Sequence, residues 1–139
     1  MRERGRKFQE IKKSKNQEIN MNEYQMQLKK KMNEFVHFVY KTTRDFPRSE
    51  LYGVVSQIRR AALSVILNYI EGYARQKPLV RLNFLEISYG SLQESKYLLG
   101  FSYEEKYLSE NDYSFGIKLA EEIGAMLWSE LQNLNKSFK

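Results

Sequence analysis

Only two prolines, at 47 and 78, occur in 139 residues, and glycine is nearly as scarce at seven, so long stretches of chain hold nothing that interrupts a helix. A proline cannot sit inside a helix without breaking it, and it biases the residue before it away from helical dihedrals, so these two positions partition the chain. Around them the apolar residues recur at three- and four-residue steps, the spacing of one helix face. Met21, Leu28, Met32, Phe35, Val36 and Val39 mark a first helix over about Met21–Arg44, closed by Asp45-Phe46-Pro47. Leu51, Val55, Ile58, Ala62, Val65, Ile66, Tyr69 and Tyr73 mark a second over about Arg48–Arg75, before Lys77-Pro78. A third, about Leu79–Glu105, carries Phe84, Leu85, Leu92, Leu98 and Leu99 interleaved with Ser88, Ser91 and Ser95, whose small side chains let a neighbour approach. Each of those hydroxyls needs a partner such as the carbonyl one turn back. Ser109-Glu110-Asn111-Asp112 resembles a capping box and opens a fourth helix with Tyr113, Ile117, Ala120, Ile123, Leu127, Leu131 and Leu134 on its apolar stripe. Gly116 and Gly124 lie on the core side of that helix and suit close helix packing.

Four amphipathic helices with short connections predict an all-α, antiparallel up-down-up-down four-helix bundle over residues 21–139. The first twenty residues hold only Met1, Phe8, Ile11 and Ile19 as sizeable apolar groups, which predicts a basic, mobile arm over 1–20.

Chemistry is conspicuous by what is missing. There is no cysteine and a single histidine, which removes thiolate metal sites, disulfides, cysteine nucleophiles and histidine pairs together. No catalytic or phosphate-loop motif occurs, and Glu104-Glu105 and Glu121-Glu122 diverge on a helix rather than share a proton. His37 falls away from the main apolar stripe and is expected at the surface. The expectation is a non-enzyme with no cofactor and no metal. No run approaches the roughly 18 apolar residues of a membrane span, and no secretory signal follows the charged start, so a cytoplasmic location is expected.

The net charge of +6 is unevenly placed, because residues 1–31 hold ten basic and four acidic side chains. Residues 44–81 hold seven basic against three acidic groups and 82–139 five against nine, which predicts a basic and an acidic end or face.

On the second helix, Gln57, Arg60, Ser64, Asn68, Glu71 and Arg75 line up nearly opposite the core stripe, with Leu63, Leu67 and Ile70 between. Ser64, Asn68 and Gly72 are poor choices for a helix face that only meets water. The set Gln57, Leu63, Ser64, Leu67, Asn68, Ile70, Glu71 and Gly72 is therefore expected to meet another subunit, and charge or bulk at Leu67 or Ser64 to dissociate it.

The run FPRSELYGVVSQIRRAALSVILNYIEGYARQ carries a resemblance. Phe46, Pro47, Glu50, Tyr52, Gly53, Gln57, Ile58, Arg59, Arg60, Ala61, Ala62, Ser64, Asn68, Glu71, Gly72 and Arg75 are similar to the signature of the bacterial four-helix-bundle family named for the 23S rRNA intervening-sequence protein. Gly90, Ser91, Leu92 and Glu94 resemble its third-helix segment, and EEIGAMLWSELQNL its last helix. The likeness covers about residues 30–136. Ile66-Leu67 and Tyr69-Ile70 depart from the Pro-Ala and Ile-Ala pairs that the family often has, which predicts a straighter second helix. The resemblance implies a homo-oligomer, commonly of five subunits, without catalytic activity. Members are encoded within insertions in ribosomal RNA genes, and a related branch serves diversity-generating retroelements as the accessory protein, binding nucleic acid and the reverse transcriptase.

Two functions from different classes follow. The first is an oligomeric scaffold binding RNA or DNA through Lys29, Lys30, Lys31, Arg59, Arg60, Arg75, Lys77 and Arg81, with the arm's Arg2, Arg4, Arg6, Lys7, Lys12, Lys13 and Lys15 adding charge. The second is a protein-interaction adaptor whose basic charge only steers encounter or solubilises.

Overall fold

In a computed structural model describing residues 21–138, the chain is all-α: α1 (Glu23–Thr43), α2 (Ser56–Ala74), α3 (Pro78–Glu104) and α4 (Glu110–Lys136), with no strand among the described residues. The anticipated arm, residues 1–20, lies outside the described residues. Helix α1 begins at a reciprocal cap: Asn22 Oδ1 accepts from the Gln25 amide at 2.8 Å and Gln25 Oε1 accepts from the Asn22 amide at 3.1 Å. Its buried residues Leu28, Met32, Phe35, Val36 and Val39 are the stripe expected from spacing, with Met21 half-buried before it.

The second helix differs from its sequence reading. Regular α-helix starts only at Ser56, after a tight turn over Arg48–Glu50 and a wide, five-residue turn over Leu51–Val55. The Glu50 carboxylate causes this, accepting from the Val54 amide at 3.2 Å and from the Tyr107 hydroxyl at 3.3 Å. Gly53 takes φ −105°, ψ −116°, and a Cβ there would stand 2.6 Å from Glu50 Oε2. The changed phase buries Val54 and turns out Leu51, expected in the core, which is 48% exposed.

Pro78 occupies the first turn of α3, where its missing N–H costs nothing. The α3 serines find their partners: Ser95 and Ser102 donate to the carbonyls of Ser91 and Leu98 at 2.8 and 2.7 Å, and Ser88 donates across to Val65 O of α2 at 2.6 Å. Leu85, Leu92, Leu98 and Leu99 are buried, whereas Phe84 is only half-buried. Ser109 caps α4, accepting from the Asp112 amide at 3.1 Å. Ala120, Ile123, Leu127 and Leu131 are buried on α4, with Tyr113, Ile117 and Leu134 partly so.

Helix α1 packs on α2 and α4, and α3 packs on the same two, around one core. Between α1 and α4, the Tyr24 hydroxyl donates to Met126 O at 3.1 Å, Lys31 pairs with Glu122, and Phe38 lies against Gly116. Between α2 and α3, Ser64 meets Ser91, Val65 meets Ser88, and Gly72 meets Phe84.

Candidate interaction surface

The outer side of the α1–α2 pair carries two grooves. The larger, about 680 Å³, runs from the wide turn along the first half of α2, between Tyr52 and Leu67 with Tyr40 contributed by α1. Arg59 and Arg60 line it, and no acidic residue does. Its rim is unusually apolar for open surface, with Tyr52 92% and Leu67 57% exposed beside Leu51. The smaller, about 320 Å³, is bounded by Met26, Lys29, Lys30 and Asn33 of α1 and by Ile66 of α2.

The eight basic residues picked out in the sequence therefore divide. Lys29, Lys30, Arg59 and Arg60 border the grooves. Arg60 is exposed and makes no ion pair among the described residues. Arg59 is held by its own chain: Nε donates to Thr43 Oγ1 at 2.9 Å, Nη2 to Tyr40 O at 3.4 Å, and the guanidinium lies 4.6 Å from the Tyr40 ring centre. Its charge remains at the groove wall in a fixed pose.

Lys31 belongs to another face, bonded to Glu122 of α4 at 3.0 Å, because one residue step turns a helical side chain by about 100°. Arg75, Lys77 and Arg81 gather at the α2–α3 turn, about 22 Å along the helix from Arg60. There Arg75 pairs with Glu71 and lies over Phe84, while Arg81 donates to Gly72 O at 3.2 Å and Arg75 O at 3.0 Å. Arg81 thus ties off the end of α2, joining the Arg75 amide on Gly72 O and engaging the Arg75 carbonyl just beyond the helix.

The expected subunit-interface set also divides. Leu63, Ser64, Leu67 and Asn68 line the larger groove, and Gln57 is exposed beside it. Ser64 and Asn68, however, have partners inside the chain: Ser64 Oγ shares a 2.8 Å hydrogen bond with Ser91 Oγ, and Asn68 Nδ2 donates to Ser64 O and Oγ, both at 2.8 Å. Ile70 packs partly buried against the core and Glu71 is engaged by Arg75. Gly72 is buried, and a Cβ there would meet Phe84 Cβ at 3.3 Å and Arg81 O at 3.4 Å. The close approach that Gly72 permits is therefore by the chain's own α3. The cause is that α3 covers part of the side of α2 opposite the core, which single-helix periodicity does not register. His37 is exposed, as anticipated.

One polar cluster was not legible in the sequence. At the end of the bundle where α1 begins and α2 ends, Tyr69 donates to Glu130 Oε1 at 2.6 Å and Tyr73 donates to Glu130 Oε2. Gln25 Nε2 donates to the Tyr73 hydroxyl at 3.0 Å, and the Arg81 guanidinium lies 5.0 Å from the Tyr73 ring centre. All four helices meet in this network beside a cavity of about 480 Å³. Burial raises the Glu130 carboxyl above its ordinary range, with the two tyrosine donors opposing the shift. Both hydroxyls are raised in turn, first by burial and then by donating to Glu130. The available signal was the four-residue Tyr69–Tyr73 spacing, but nothing local announces which carboxylate the hydroxyls reach. Among the described residues no group of His, Asp and Glu stands close enough to hold a metal ion. No helix there is long and apolar enough to cross a membrane.

No curated protein matches the sequence. Among solved structures, a protein of unknown function from the S23 ribosomal protein family of Bacteroides thetaiotaomicron VPI-5482 has the same fold, with a TM-score of 0.68 at 23% identity over 75% of this chain and 97% of that one. The family model of the 23S rRNA-intervening sequence protein matches residues 24–129, which spans α1, the irregular turn, α2, α3 and most of α4, and the chain belongs to that family.

Proposed function

We propose that the chain is a non-enzymatic scaffold, an up-down-up-down bundle that self-associates, in the five copies the family resemblance implies, and binds RNA or DNA through the α1–α2 face. The observation that carries the nucleic-acid reading is the pair of grooves bordered by Lys29, Lys30, Arg59 and Arg60, with no acidic side chain lining either. Cations so placed neutralise phosphates and release counterions without reading sequence. Self-association is supported by Leu67 on α2 and Ile87 on α3, each about half exposed and both about one turn to the same side of the Ser64–Ser91 contact, and by Gly90 in open space beside it. An exposed glycine inside a helix costs about 1 kcal/mol relative to alanine, which favours a second backbone close to it. The up-down-up-down arrangement is supported by contacts in which residue numbers rise on one helix as they fall on its neighbour.

Binding to a labelled RNA or DNA, followed as salt is raised, tests the nucleic-acid reading. Four phosphates engaged per subunit predict a logarithmic slope of roughly −3 to −4. A flat slope, or no binding at low salt, overturns it and leaves the protein-adaptor reading, which the exposed Trp128, Tyr97 and Phe115 favour. For the scaffold reading, a reverse transcriptase is the protein partner that the resemblance implies beside nucleic acid.

A further inference from the structure

Tyr52 is 92% exposed, the most water-exposed of the large apolar side chains among the described residues. Its position is built rather than incidental. The Glu50 carboxylate holds the Val54 amide and Gly53 leaves helical dihedrals, so the wide turn presents Leu51 and Tyr52 at the rim of the larger groove. Facing into the same groove is a second aromatic, Tyr40, backed by the Arg59 guanidinium at 4.6 Å. Val55 and the half-buried Leu63 supply an apolar floor below that rim, and a volume near 680 Å³ is within the range of ligand-receiving pockets. Along α1 the steps Met26, Lys30, Asn33, His37 and Tyr40 follow one stripe, so Lys29 and Lys30 stand about 15 Å from Tyr40 on the same side.

An exposed ring beside a run of cations that make no ion pair among the described residues suits one kind of nucleic acid. In a duplex the base faces are stacked on each other and only edges and phosphates are presented, so exposed tyrosine rings gain little. A single strand offers its base faces, and ring-on-base stacking is tolerant of sequence. We propose that the larger groove is a stacking site for single-stranded nucleic acid, with bases on Tyr52 and on the Tyr40–Arg59 pair and phosphates on Arg60, Lys30 and Lys29. This deepens the nucleic-acid reading above and rests on it.

Fluorescence anisotropy of the full chain at low salt with labelled oligothymidylate, and with a duplex of equal phosphate number, tests the proposal. The single strand is expected to bind more tightly than the duplex. Tyr52→Ala should weaken single-strand binding about 5- to 150-fold, the loss expected of one stacked base, and leave the duplex and the salt slope unchanged. Tyr52→Leu, which keeps apolar bulk but has no ring, should behave like Tyr52→Ala, whereas Tyr52→Trp should hold or tighten the single strand. Circular dichroism and native mass spectrometry should report unchanged helix content and subunit number for all three. Equal binding of strand and duplex, indifferent to Tyr52, overturns the stacking site and leaves the nucleic-acid reading standing. Full affinity in Tyr52→Leu, with a changed subunit number in Tyr52→Ala, overturns it in favour of a second copy in the groove. Absence of binding to either probe removes the nucleic-acid reading and the stacking site together.

Discussion

A methyl group added at Gly116 and one added at Gly90 would meet opposite surroundings. At Gly116 it would fall 2.5 Å from Phe38 Cε1 and 3.2 Å from Leu99 Cδ1. The Phe38 ring is itself flanked by Phe35 and Phe115, with centroids at 6.5 and 5.2 Å, so it has little room to yield. Gly116→Ala should therefore destabilise the fold by about 1–3 kcal/mol, as overpacking does. At Gly90 nothing lies within 4 Å of the added carbon. Gly90→Ala should stabilise the isolated chain by about 1 kcal/mol through helix propensity alone. Urea unfolding of both variants, at concentrations where the wild type is monomeric, measures the contrast, and shifts of the same sign would contradict it. The close packing at Gly116 was legible because its place on the core side of the fourth helix follows from spacing. The partner of Gly72 was not, since periodicity says that a face is approached but not whether α3 or another copy approaches it.

Helices α1, α3 and α4 follow their apolar spacing to within two residues at the ends that spacing sets, because there the core stripe, the caps and the prolines agree. The start of the second helix does not, because Glu50 offers the Val54 amide a side-chain acceptor in place of a ladder carbonyl, a competition that apolar patterning does not contain. The Glu130 cluster escaped for a related reason. Glu130 stands between Leu127 and Leu131 in sequence and looks like an ordinary polar neighbour of the stripe, yet two tyrosine hydroxyls from α2 reach it. That cluster gives the bundle a pH dependence whose sign follows from burial. With the folded carboxyl raised above its unfolded value, the folded chain holds the proton more tightly. Stability is full while Glu130 is neutral in both states, and it falls as pH rises from about 4.3 through the raised folded value. The penalty is then complete. In Glu130→Gln the amide oxygen can still accept from Tyr69 and the amide nitrogen can donate to the Tyr73 oxygen, while the titration is gone. Melting temperatures of wild type and Glu130→Gln, taken across this window, should diverge as pH rises, with the wild type losing relative to the variant. Parallel curves would show that Glu130 does not titrate against the fold.

For the molecule as a whole, the charge asymmetry in the sequence falls between the helix pairs. Residues 82–139, with nine acidic and five basic groups, supply nearly all of α3 and the whole of α4, while Lys29, Lys30, Arg59 and Arg60 border the α1–α2 grooves. A scaffold of several such subunits would repeat one weak basic face, and the gain lies in simultaneous engagement. Ile87 separates assembly from binding, because it lines neither groove and at 48% exposure contributes little to its own fold. Ser64 does not, since bulk there would push Ser91 away and disturb the α2–α3 packing. Ile87→Lys leaves the lining of both grooves unaltered while placing an ammonium where copies are proposed to meet. Native mass spectrometry should then show a reduced subunit number with circular dichroism unchanged. Affinity for an oligonucleotide short enough to occupy one subunit should stay within a few fold of wild type. Affinity for a strand long enough to reach several subunits should fall by about a hundredfold or more, the scale of lost multivalency. If long and short strands lose affinity equally, the face acts one subunit at a time and assembly serves another purpose. If the subunit number is unchanged, copies meet elsewhere than at Ile87.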